Sequence, residues 1–166
     1  MRIFLTSILV AGVYGFASGA AEASDSANER ASLTGLTTLS VVVEDLSPTA
    51  VSSGLTTAAL QMDAERRLRQ AGIALTPDAD AYMYVHVTVA DPGPSIPFPY
   101  YVDVSLIQEI RLPRGGIQTR TPLQSPTWSV SRLGIAGGDR LRANIVDRVN
   151  ELVDQFVRAY RSVNPK

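Results

Sequence analysis

His86 is the only histidine in a chain of 166 residues that contains no cysteine. One imidazole excludes a histidine metal pair, and without a thiolate there is neither a sulfur ligand nor a sulfur nucleophile. His86 could still act as a general base, because its charge changes near neutral pH. It would need an orienting carboxylate within hydrogen-bond reach, and Asp103 or Glu109 on a neighbouring strand could supply one. An isolated histidine on a strand face is, however, most often an ordinary surface residue. Asp78, Asp80 and Asp91 match only the first two ligand positions of a calcium loop, with no glutamate at the twelfth. Aspartates of this kind are common in turns, where they bond to their own backbone. Gly134-x-x-Gly137-Gly138 precedes a helical pattern, but Asp139 would repel a phosphate there and neither nucleotide-binding motif is complete. No serine stands in a G-x-S-x-G context. The residues therefore assign no metal, no cofactor and no catalytic group, and the expectation is a chain that is not an enzyme.

The segment from Pro92 to Tyr101 offers a different chemistry. Its prolines hold the backbone extended at low entropic cost while Ile96, Phe98, Tyr100 and Tyr101 present apolar and aromatic surface. Such a loop suits docking to a partner. The same side chains could instead fold back over a sheet edge and block aggregation. Ser125 to Trp128 shares this ambiguity.

These residues must be positioned by regular elements. Leu36–Leu46, with its Val41–Val43 run, reads as the first strand. Ser53–Ala71 reads as a helix with Leu60, Ala64, Leu68 and Ala71 at helical spacing, a cap from Ser52 or Ser53 and a stop at Gly72. Ile73–Leu75 is a short extended piece. Ala81–Ala90 alternates, with Met83, Val85, Val87 and Val89 on one face and Tyr82, Tyr84 and His86 on the other. Asp91–Pro99 is a stiff loop, and Tyr100–Leu112 is the third strand. Pro113–Pro126 is a long connection before a fourth strand, Thr127–Leu133, and Gly134–Gly138 closes the sheet region. Asp139 is placed to cap a second helix with Leu141, Ile145, Val149, Leu152, Phe156 and Tyr160 in one stripe. Asn164-Pro165 ends it.

The order strand, helix, three strands, helix predicts an α+β two-layer sandwich. Its sheet would have four strands, largely antiparallel, with both helices on one face. The other face would expose Tyr82, Tyr84 and His86.

The amino-terminal residues suggest where the chain works. Arg2, the apolar run Ile3–Phe16 and Ala21-Glu22-Ala23 have the layout of a secretory signal peptide at 1–23. The run is 14 residues, short of the roughly 20 that cross a bilayer core. The expectation is cleavage, no stable membrane anchor afterwards, and a periplasmic or secreted product. Residues 24–35 are polar and aperiodic and read as a flexible lead, with a single domain over 36–166. The charge balance of 15 basic against 16 acidic residues gives no field for nucleic acid.

The layout from Leu39 to Tyr160 resembles two groups of bacterial envelope proteins: the lipopolysaccharide-assembly lipoprotein and the amino-terminal domain of TolB-type proteins. In both, a segment similar to Ala64–Ile73 ends a helix before a strand. The resemblance implies a small envelope domain. It transfers no functional residue, because the lipid-bearing cysteine of the first group and the propeller of the second are missing. The expected function is non-enzymatic binding of another envelope component, with an envelope protein as partner, through Tyr82, Tyr84, His86, Ile96, Phe98, Tyr100 and Tyr101. The alternative is a carrier for a small apolar ligand, with a pocket between helices and sheet.

Overall fold

The computed structural model describes residues 25–91, 93, 97–111, 113–114, 117–118 and 122–165. The expected signal peptide and Ile96 lie outside them. The elements run α1 (Ala27–Ala31), β1 (Thr38–Val43), α2 (Pro48–Ser52), α3 (Thr57–Gln70), β2 (Ala74–Leu75), β3 (Tyr82–Val89), β4 (Phe98–Ile110), β5 (Pro113–Arg114), β6 (Ile117–Gln118), β7 (Leu123–Ala136) and α4 (Gly138–Val163).

The fold is α+β, and the main sheet has five strands in the order β2-β1-β3-β4-β7, where four were expected. The fifth strand is the two-residue β2, within the expected extended piece Ile73–Leu75 but too short for its pairing with β1 to be read from the sequence. The sheet is also mixed. β1 runs parallel to β2 and β3, whereas β3, β4 and β7 form an antiparallel meander. A parallel β1–β3 pair needs a crossover, and α3 supplies it. β5 and β6 make a separate small hairpin between β4 and β7.

One core joins α3 and α4 to a single sheet face. Leu60, Ala64 and Leu68 of α3 and Leu141, Ile145, Val149, Leu152 and Phe156 of α4 are buried with Met83, Val85, Val102, Val104, Leu106, Trp128 and Val130 of the strands. Trp128 meets Phe156 edge to face at 5.1 Å, a favoured aromatic geometry. Arg67 ties the helices together, donating to Asn150 Oδ1 at 2.8 Å and pairing with Asp154.

Several boundaries depart from expectation. The first helix is split: α2 and α3 are separated by a turn in which Gly54 takes φ +86°, a conformation glycine enters cheaply. The cap of α3 is therefore Thr56, whose hydroxyl accepts from Ala59 N, and neither Ser52 nor Ser53. Gly137 is the N-cap residue of α4, without a side-chain bond, and Asp139 lies in the first turn. A negative charge there still suits the helix dipole. β7 begins at Leu123 and runs to Ala136, absorbing residues expected as connection and as the end of the sheet. Pro126 is tolerated because β7 is an edge strand and the ladder is irregular there.

The expected flexible lead is the largest departure. Its residues from Asp25 onward are held in place: α1 carries a capping box between Ser26 and Glu29, and Leu33 is fully buried. Asp25 accepts from Trp128 Nε1 at 3.0 Å and pairs with Arg30 at 2.7 Å. Burial opposes ionisation of Asp25, but the bonds from Arg30 and Trp128 outweigh it and hold the carboxyl below its usual 3.8. A lowered folded pKa stabilises the protein above the unfolded value. That contribution is lost as pH falls through the folded one. Asp25→Asn is thus expected to be less stable than wild type near neutral pH. The gap in urea midpoint should close as the pH is taken below 3.8. A gap that stays constant with pH would disprove the linkage.

Candidate functional site

Among the described residues, no helix packs on the sheet face away from α3 and α4. Strand alternation places Ser40 and Val42 of β1, Tyr82, Tyr84, His86 and Thr88 of β3, Tyr101, Asp103 and Ser105 of β4, and Leu133 and Ile135 of β7 on it. Tyr82, Tyr84 and His86 are half-buried there.

Its centre is a hydrogen-bonded cluster. Glu44, just beyond β1, continues the parity of Ser40 and Val42, and its N–H donates to Val85 O. That places its carboxylate against two side chains of β3. Tyr84 Oη donates to Glu44 Oε2 at 2.5 Å, and His86 Nδ1 contacts the same oxygen. His86 Nε2 in turn lies 2.6 Å from Thr88 Oγ1. The bonds from Tyr84 and then His86 hold the Glu44 carboxyl below the usual range against the opposing effect of desolvation. The same carboxylate, followed by burial, pushes the Tyr84 hydroxyl up to about 12. Glu44 is therefore the ionised hub of this face. Tyr101 closes one side, its ring edge-to-face with the imidazole of His86 at a centroid separation of 6.4 Å.

Neither carboxylate expected to orient His86 does so. Asp103 is the cross-strand partner of His86, but its Oδ2 accepts from Ser105 Oγ at 2.6 Å. Glu109 pairs with Gln124 in the part of β4 that runs past the end of β3. Parity along Ser40, Val42 and Glu44 is the signal that could have found Glu44. It is masked by the Val41–Val43 run, which breaks the apolar–polar alternation of the strand.

The expected docking residues divide between the two faces. Tyr101 is exposed beside His86 and Thr88, but Tyr100 is 4 % exposed and belongs to the core. Tyr100 lies opposite Gly134, where an added Cβ would fall 2.3 Å from its ring. Phe98 shares the parity of Tyr100 and packs partly against the core near Gly138. The reason is that β4 starts at Phe98 instead of after the prolines, so alternation sends Phe98 and Tyr100 inward together. Leu133 and Ile135 were not anticipated as surface. They are 78 % and 68 % exposed and stand opposite Tyr101 and Pro99. Together with Tyr101 they form an apolar end to the face, with Val42 also exposed on β1.

The remaining candidate motifs are dispersed. Gly134 lies in β7 and Gly137 caps α4, so the glycines form no single cradle. Asp91 Oδ1 accepts from Gly93 N at 3.0 Å in a turn. Among the described residues no group of three or more histidine, aspartate or glutamate side chains is arranged to hold a metal ion. None of the described helices is long and apolar enough to cross a membrane.

No protein-family model matches the chain, and no curated protein matches it. Among solved structures, a minor lipoprotein from Acinetobacter baumannii is similar at 14 % identity and a TM-score of 0.39, covering 78 % of this chain and 95 % of its own. A PelC dodecamer from Paraburkholderia phytofirmans is similar at 15 % identity and a TM-score of 0.38, covering 74 % and 82 %.

Proposed function

We propose that this chain is a non-enzymatic, exported domain that binds another protein of the cell envelope through its uncovered sheet face. The observation that carries the reading is the apolar end formed by Tyr101, Leu133 and Ile135. Large side chains left so exposed and so close together on neighbouring strands mark interaction surfaces. The polar cluster around Glu44 would form the rim, where satisfied hydrogen bonds favour specificity over affinity. Export rests on the amino-terminal segment with its apolar run and A-x-A site.

The carrier reading has less support. The cleft of about 380 Å³ between α3 and β1 has sufficient volume, but Gln61, Glu65 and Arg69 line it beside Val41 and Leu75. An apolar ligand would have to cover those polar groups.

The test uses a photo-crosslinking residue at position 101, with position 62 on the outer side of α3 as control, in cells that export the protein. Met62 is 64 % exposed, so both sites are accessible. A discrete protein adduct from position 101 alone is expected, and Leu133→Asp with Ile135→Asp should abolish it. Surface changes of this kind alter folding by only about 0.5 kcal/mol. Equal adducts from both positions, or an adduct that survives the double substitution, would refute the assignment of this face.

A further inference from the structure

The uncovered face also carries a carboxylate–imidazole–hydroxyl chain, Glu44–His86–Thr88. A carboxylate only accepts hydrogen bonds, so His86 Nδ1 must carry the proton toward Glu44. In the neutral ring Nε2 is then left with a lone pair, and the Thr88 hydroxyl 2.6 Å away must donate to it. The tautomer is thus set by Glu44, which Tyr84 holds in place through the same oxygen. Thr88 itself is exposed. An accessible hydroxyl hydrogen-bonded to a base that is oriented by a third group is the arrangement of an activated nucleophile.

We propose that Thr88 is an acyl-acceptor site that takes the acyl group of small activated esters, with His86 as its base. Thr88 Oγ attacks the ester carbonyl carbon as its proton passes to His86 Nε2. The tetrahedral species collapses by breaking the bond to the leaving oxygen, which departs with the electron pair. Where that oxygen is basic it takes the proton from Nε2, and otherwise the proton goes to water. The product is a threonine ester, and no oxidant or metal is consumed. The charged and titratable groups facing the imidazole are Glu44, Tyr84, Tyr101 and Asp103.

The same face explains why this is acylation without fast turnover. Thr88 lies in the β3–β4 ladder opposite Tyr101, so the backbone on that side is engaged in strand pairing instead of being gathered around an oxyanion. Lacking such donors costs about 10²–10³ in rate. General-base assistance alone gives about 10²–10⁴, and solvent exposure favours the lower end. This inference does not depend on partner binding.

The composition makes the test clean, because the chain has no cysteine and one lysine, Lys166. The full chain is treated with p-nitrophenyl acetate, nitrophenolate release is followed, and the acetyl group is located by peptide mass spectrometry. One acetyl group on Thr88 is expected, formed about 10²-fold faster than in His86→Gln. Thr88→Ser should keep the label at position 88, and Thr88→Val should lose it along with the fast release. Circular dichroism confirms that each variant is folded. Acetyl found only on Lys166 and the amino terminus would overturn the proposal. So would Thr88→Val releasing nitrophenolate at the wild-type rate, since the imidazole would then be the acceptor.

Discussion

Phe156→Ala is expected to remove about 3–5 kcal/mol of stability, the usual cost of emptying a buried aromatic site. Domains of this size typically hold only about 5–15 kcal/mol in total. Phe156 is fully buried, with Trp128 edge-on at 5.1 Å and Tyr160 stacked at 6.4 Å. Collapse cannot refill the site easily, because α4 is tied to α3 by Arg67 on one side and to the turn after α1 on the other. Phe156→Leu retains most of the volume and should cost much less, about 1–1.5 kcal/mol. Urea unfolding followed through Trp128, the single tryptophan, measures both. A loss below about 1 kcal/mol for the alanine variant would contradict the packing of α4 on the sheet.

Leu33→Ala is the second large effect, expected at about 2–5 kcal/mol. The residue lies in a stretch that composition alone assigns to a flexible lead, where truncation would have no effect. Three bonds fix its position. Asn164 Nδ2 donates to Leu33 O at 2.9 Å, Gly35 N donates to Asn164 Oδ1 at 2.8 Å, and Tyr160 Oη donates to Leu36 O at 3.0 Å. Leu36→Ala, at a partly buried site, should cost less. Equal urea midpoints for Leu33→Ala and wild type would show that this segment is not part of the core.

The fold was legible where one face of an element is apolar and the element is long. The stripe from Leu141 to Phe156 places α4 correctly, and the alternation of Tyr82 to Val89 separates the core face of β3 from the open one. Trp128 was correctly centred in its strand. Short elements were less legible: α1 and α2 have five residues each and span too few periods to stand out, and the extended piece at Ile73–Leu75 gave no sign that its last two residues, β2, join the sheet. Leu33 is a single apolar residue among polar ones, so its burial depends on partners more than a hundred positions away. The open face was legible for Tyr82, Tyr84 and His86 because period-two alternation is local. Its hub was not, because the Glu44–His86 contact follows from a parallel pairing across α3, which no local pattern encodes. The inward turn of Phe98 and Tyr100 was missed for a related reason. Proline marks where a ladder is interrupted, but β4 pairs with β7 through Pro99 all the same.

The clamp between Asn164 and the Leu33–Gly35 turn has a consequence for how the molecule is made. Synthesis proceeds from the amino end, so the first buried leucine emerges long before the asparagine that holds it. Most of the buried residues that the two long helices set over the sheet also belong to α4. The core above the sheet is therefore incomplete until α4 has been made, because α4 carries eight buried residues against three in α3.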